Sequence, residues 1–192
     1  GSGIQWSGAE GAMQDFVEAA GIPFYTTPQS RGAIPEDHKY CYLTARSAAF
    51  READLIFVLG TRMNYVIGNA APPRFNADAK IVRVEIDPIE LESSPRKLDL
   101  GIVGDAWAVL EQLTAAAKGR LSPSRYQSWQ ERLGGGNASK VEEQEKILSN
   151  SSEPIHPLRL CKEIRDFLDR DAILVVDGQE ILNFGRQSIP TF

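Results

Sequence analysis

Three polar points close apolar runs between residues 54 and 106: Gly60-Thr61-Arg62 after DLIFVL, Glu85-Ile86-Asp87 after KIVRV, and Gly104-Asp105 after GIV. An arginine directly after a strand can hold a phosphate through its planar fork. A carboxylate at a strand end can accept both hydroxyls of a ribose, and Glu85 is the residue chosen for that work. Asp105 stands where a helix N-cap belongs and Asp87 precedes Pro88, so capping alone would also account for both. The start of the chain adds Gly1-Ser2-Gly3, followed by Ser7-Gly8-Ala9. Glycines ahead of a helix let backbone approach a phosphate, and the helix end supplies N–H groups. This spacing is not GxGxxG, and no acidic residue closes a second strand about twenty residues on, so an ordinary NAD site is not indicated. A tight turn would explain the same glycines.

Near-continuous apolar strands separated by helical stretches predict an α/β fold: a parallel Rossmann-like sheet with helices on both faces. Ligands of such sheets bind outside the carboxyl ends of the strands, where these polar residues fall. Hydrophobic spacing predicts helices at 9–20, 43–53 and 106–117, with strands at 22–27, 54–60, 80–86 and 101–103. Residues 28–39 and 62–78 read as loops, and 88–91 as a helical turn opened by Pro88. From 118 to 153 the pattern weakens, with amphipathic stretches only near 126–133 and 141–148 on either side of Gly134-Gly135-Gly136. A helix at 157–168 and a buried strand at 172–176, tipped by Asp177-Gly178-Gln179-Glu180, then open a second α/β domain. The division expected is a central domain at 1–118, a linker at 119–155, and the start of another domain at 156–192.

The chain has 192 residues, 42% hydrophobic and 24% charged, which is ordinary for a globular protein with a sizeable core. A net charge of −5 and the lack of a basic run argue against nucleic acid as a partner. No apolar stretch approaches the ~20 residues of a membrane span. Cys41 and Cys161 are far apart, so a disulfide framework is not expected and the cytoplasm is the compartment that fits. His38 and His156 are the only histidines, and the structural reading is favoured for each. With no Ser/His/Asp set, nucleophile motif or metal-ligand cluster, no catalytic or metal-binding residue is assigned, and both chain ends read as cuts in a larger protein.

The succession GSG, IPFYTTPQSRGAIP, ARSAAFREADLIFVLGTRMNY, PPRFNADAKIVRVEIDPIEL and VGDA resembles the central domain of thiamine-diphosphate-dependent enzymes of the acetolactate synthase type. ARSAAFREAD with GTRMNY and PPRF is especially similar to the 2-hydroxyacyl-CoA lyase and oxalyl-CoA decarboxylase branch. RDAILVVDGQEILNFGR resembles the opening of the family's diphosphate-binding domain, although DGQE stands where CoA-type relatives read EGAN and is closer to the synthase wording. The resemblance implies a piece of a carbon–carbon lyase or transferase acting on 2-hydroxyacyl-CoA or 2-oxo acid substrates. It further implies thiamine diphosphate and Mg²⁺ in the whole protein, and a homodimer or homotetramer. The activating glutamate and the Mg²⁺-holding GDG…N motif are not in this stretch, which alone should be inactive.

Relatives use the central domain for FAD, for ADP or the ADP half of CoA, or for nothing. Carried over by position, Gly1, Ser2, Gly3, Thr27, Arg62 and Asn64 would line phosphates, Glu85 and Ile86 would hold ribose, and Asp105 with Ala106 would face adenine. Gly178, Gln179 and Glu180 match the segment that approaches thiamine diphosphate. The synthase pattern has an acidic residue near Asn64 and a second arginine near Val66, and their absence weighs against FAD. An acetolactate synthase-like transferase with FAD, or a non-catalytic nucleotide-binding module, is the alternative.

Overall fold

The runs LIFVL, KIVRVE and LGIV carry the β-branched residues that suit a pleated, covered surface, and they form the sheet. The structure, a computed structural model, describes residues 1–192. In chain order the elements are α1 Gly3–Trp6, α2 Glu10–Ala20, α3 Arg46–Glu52, β1 Leu55–Leu59, β2 Lys80–Glu85, α4 Pro88–Glu92, β3 Leu100–Val103, α5 Ala106–Ala116, α6 Gln127–Leu148, α7 Pro157–Phe167 and α8 Glu180–Ser188. The strands are parallel in the order β1-β2-β3, with Leu55 opposite Lys80 and Val82 opposite Leu100.

Alternation along the strands sends side chains to two cores. Phe57, Leu59 and Val84 meet Ile4, Ala12 and Leu110 of α1, α2 and α5 on one face. Ile56, Val58 and Ile81 meet Phe50, Met63, Ile67 and Phe75 on the other. Leu110 is fully buried, and such burial contributes about 1.5–3 kcal/mol per side chain. The helices stop and start where their chemistry dictates. Gly21 takes φ 66° after α2, Asp87 Oδ1 accepts from the Ile89 N–H at 2.9 Å, and Asp105 Oδ1 accepts from the Ala108 N–H at 3.1 Å.

Several sequence expectations differ from what is observed. Residues 3–6, read as part of a turn, form the short helix α1. Residues 22–27 join no ladder: Pro23 has no N–H, and the Phe24 N–H alone crosses, to the Tyr40 carbonyl at 3.2 Å. The apolar pattern there reflects burial of Phe24 against Val17, Ile34 and Tyr40. The two helices expected at 126–133 and 141–148 are one, because α6 runs unbroken through Gly134-Gly135-Gly136. Tertiary contacts hold it: Leu133 is buried with Ala45 and Ala49, Gln130 Nε2 donates to the Gly21 carbonyl at 2.6 Å, and Asn137 Oδ1 accepts from the Thr44 N–H at 3.0 Å. These outweigh the roughly 1 kcal/mol that each helical glycine costs. Residues 172–176 are not a buried strand. They join no sheet, with Ile173 93% and Val175 87% exposed, since no other strand of this chain lies alongside.

The crossover from β1 to β2 has little regular structure, and Arg96 holds it. Its guanidinium donates to the carbonyls of Ala70, Asn76, Ala77 and Ala79 at 2.8–3.0 Å. R96A is expected to lower unfolding free energy by about 1.5–3 kcal/mol in urea titrations. R96K should recover less than half, because an ammonium cannot span that spread of acceptors.

Candidate functional site

A cavity of about 800 Å³ opens at the carboxyl ends of the three strands. β1 ends into Gly60-Thr61-Arg62, β2 into Glu85-Ile86, and β3 into Gly104-Asp105, so parallel pairing alone brings these points to one rim. Of the residues singled out in the sequence, Ser2, Gly3, Thr27, Arg62, Asn64, Glu85, Ile86, Asp105 and Ala106 line it.

Gly1 does not line it. Its nitrogen donates to the Leu59 carbonyl at 2.7 Å, behind the wall. The Gly3 N–H is likewise spent within the protein, donated to the Gly60 carbonyl at 3.0 Å. These glycines therefore bring backbone against backbone: a Cβ on Gly3 would stand 2.7 Å from Gly60 Cα.

Glu85 is the most constrained polar group at the rim. Its Oε1 accepts from the Ile86 N–H at 3.0 Å, and its Oε2 accepts from Arg83 Nη2 at 3.2 Å. Arg83, fully buried on the same side of β2, also donates through Nη1 to the Glu90 carbonyl at 2.6 Å. Glu90 in turn pairs with Arg62, whose Nε lies 3.2 Å from Oε1. The Arg62 side chain is 76% exposed and lines the cavity from this pairing. Asp105 uses Oδ1 as the α5 cap while still lining the cavity, and Asn64 Oδ1 is taken by the Val66 N–H at 3.1 Å. Thr27 and Ser30 form a reciprocal capping box that sets the Pro28-Gln29 wall.

Sequence reasoning missed Trp6, Gln29, Val66 and Ile67 as lining residues, together with the Arg83–Glu90 support beneath Glu85. An arginine at an inward position of the apolar run KIVRVE was the available signal for the support. Gly178, Gln179 and Glu180 lie apart from this cavity and are all exposed, Gly178 at φ 104°. Both histidines have structural jobs: His38 Nδ1 accepts from the Tyr40 N–H at 3.2 Å, and His156 Nδ1 accepts from the Leu158 N–H at 3.2 Å. No His, Cys, Asp and Glu cluster suits a metal ion, and no helix is long and apolar enough to cross a membrane.

The family described as "Thiamine pyrophosphate enzyme, central domain" matches residues 1–113. Among similar curated proteins, 2-hydroxyacyl-CoA lyase 1 of Mus musculus is 29% identical over 191 residues, covering 97% of this chain and 32% of that protein. The 2-hydroxyacyl-CoA lyase of Arabidopsis thaliana is 32% identical over 179 residues, 93% of this chain and 30% of that protein. Acetolactate synthase large subunit IlvG of Mycobacterium tuberculosis is 26% identical over 193 residues, 100% of this chain and 34% of that protein. The chain spans about a third of the length of these relatives.

Proposed function

The chain belongs to the thiamine pyrophosphate enzyme family, with residues 1–113 matching its central domain, and from that premise we propose that its sheet-edge cavity holds the ADP portion of coenzyme A, or a structural ADP, in a carbon–carbon lyase or transferase. The observation that carries this reading is Glu85, a carboxylate fixed by two hydrogen bonds at the mouth of a roomy cavity that Arg62 also lines. A held carboxylate is pre-organised to accept the two ribose hydroxyls, and the exposed Arg62 fork suits a diphosphate. Ile86, 65% exposed, gives the adenine an apolar shelf beside Asp105 and Ala106.

The whole protein is proposed to carry thiamine diphosphate and Mg²⁺ and to be a homodimer or homotetramer. Thiamine diphosphate supplies the carbanion chemistry of such enzymes. Of this chain's residues, Gly178, Gln179 and Glu180 are proposed to approach it; they are exposed and lie outside the sheet-edge cavity, and no group of His, Cys, Asp and Glu in this chain suits the metal. They offer at most one wall, so no step is assigned to them.

The reading is tested by calorimetric titration of the full-length protein with ADP, coenzyme A and FAD. ADP and coenzyme A should bind, and E85Q should weaken ADP about ten- to a hundredfold, the loss of a charged hydrogen-bonding group. R62Q should weaken ADP by less, since that side chain must first leave Glu90. Tight FAD binding without ADP or coenzyme A would move the assignment to the acetolactate synthase type. Binding of none of the three would leave the cavity without the proposed ligand.

A further inference from the structure

A second cavity, of about 720 Å³, lies between the start of α3, the loop at 66–74, α6 and α8. We propose that it is a binding site for a phosphate-bearing anion, gripped by Arg46, Arg74 and Arg186. The inference stands on this cavity alone and does not depend on a nucleotide at the sheet edge.

Three observations carry it. First, the three arginines converge from residues far apart in the chain, yet none forms an ion pair, whereas nine other Lys and Arg side chains have carboxylate partners within 3.6 Å. Arg31, on the same wall, is committed to Glu36. That leaves Arg46, Arg74, Arg186 and Lys140 facing one free carboxylate, Glu143. Second, Arg46 Nε is buried and has no hydrogen-bond partner. Its guanidinium sits 5.2 Å over the Phe50 ring, which fixes the stem and leaves donors unspent. Burial first, then repulsion from Arg74 and Arg186, lowers the Arg46 pKa. Third, Arg74 and Arg186 each spend one donor on positioning: Nη1 of Arg74 on the Val66 carbonyl at 3.3 Å, and Nη2 of Arg186 on Asn183 Oδ1 at 2.6 Å. Each guanidinium has five donors, so most remain.

Four cations against one carboxylate leave a surplus that a single carboxylate ligand would not neutralise. A phosphomonoester or diphosphate does so and accepts bidentate forks. The two cavities share Pro28, Val66 and Ile67 in their walls, so the anion comes either from a nucleotide reaching across or from a separate phosphorylated molecule.

The test is titration of the full-length protein with inorganic pyrophosphate, with and without saturating ADP. Pyrophosphate should bind, R74Q and R186Q should each weaken it about tenfold, and E85Q should leave it unchanged. R46Q should weaken it further and R46K should restore part. The exposed Arg74 and Arg186 carry the test should R46Q fail to fold. Additive binding beside ADP supports the site with a separate ligand as its source. Competition by ADP that disappears in R186Q supports it with the nucleotide's own phosphates as the source. Absence of pyrophosphate binding overturns the proposal, as does binding lost in R62Q but unchanged in R74Q and R186Q. Loss of ADP binding with pyrophosphate binding intact would instead count against the nucleotide reading alone.

Discussion

Replacing Gly60 with alanine is expected to cost on the order of 2–5 kcal/mol of stability and to abolish ADP binding, for two separable reasons. Gly60 sits at φ 52°, where a Cβ meets the following carbonyl at about 1–2 kcal/mol. A Cβ there would also lie 2.6 Å from Gly3 Cα, a backbone atom that cannot swing aside. Forcing the two loops apart adds a cost typical of overpacking, roughly 1–3 kcal/mol. The chain contains the controls. Gly8 has φ 63° with nothing within 4 Å of its would-be Cβ, so G8A should show the conformational cost alone. Gly3 is helical and meets Gly60 Cα at 2.7 Å, so G3A should show the steric cost alone. Urea unfolding of the three variants measures both. A G60A value no larger than that of G8A would mean that the close approach of the loops stores nothing. The functional loss follows because Gly3 and Gly60 are neighbours on the cavity wall, and the Gly3 N–H to Gly60 carbonyl bond sets their spacing.

The strand ends were legible because a buried parallel strand announces itself in composition and its last residue marks the ligand edge. β1 and β2 fall within about one residue of the reading at each end. The same signal misled at 22–27 and 172–176. An apolar run reports that a segment suits burial, not that a neighbouring strand is there to pair with it. At α6 the reading gave Gly134-Gly135-Gly136 its intrinsic weight, whereas Leu133, Gln130 and Asn137 decide the matter through contacts with residues more than eighty positions away. Distance in the chain hid the arginine cavity in the same way. Arg46, Arg74 and Arg186 have no spacing in common and meet only when α8 folds back toward α3 and α6. The support under Glu85 was legible in principle: Arg83 shares the parity of Ile81 and Glu85, so it had to point into the same layer.

That support should dominate both stability and binding. R83M is expected to cost about 3–5 kcal/mol, because it removes the ion-pair partner of Glu85 and one of the two partners of Glu90 without removing the carboxylates. Glu85 is only 12% exposed at the side chain and Glu90 30%, so neither regains full hydration. The wild-type arrangement is itself imperfect, since Arg83 Nε is buried without a partner. A buried ion pair of this kind contributes little net stability compared with an apolar pair, yet breaking it from one side is costly. The double variant R83M/E85Q should therefore recover part of the loss, with a coupling above about 1 kcal/mol in a double-mutant cycle. R83K should not match the wild type, because Nη1 and Nη2 divide their work between the Glu90 carbonyl and Glu85, and one ammonium cannot reproduce that fork. Binding separates the two roles. R83M/E85Q should fold well enough to assay but bind ADP no better than E85Q, since the arginine serves the ligand only by holding the carboxylate. Equal stability of R83M and wild type would show that Glu85 needs no countercharge from Arg83, and Glu85 would then lose its standing as a carboxylate held ready for a ribose.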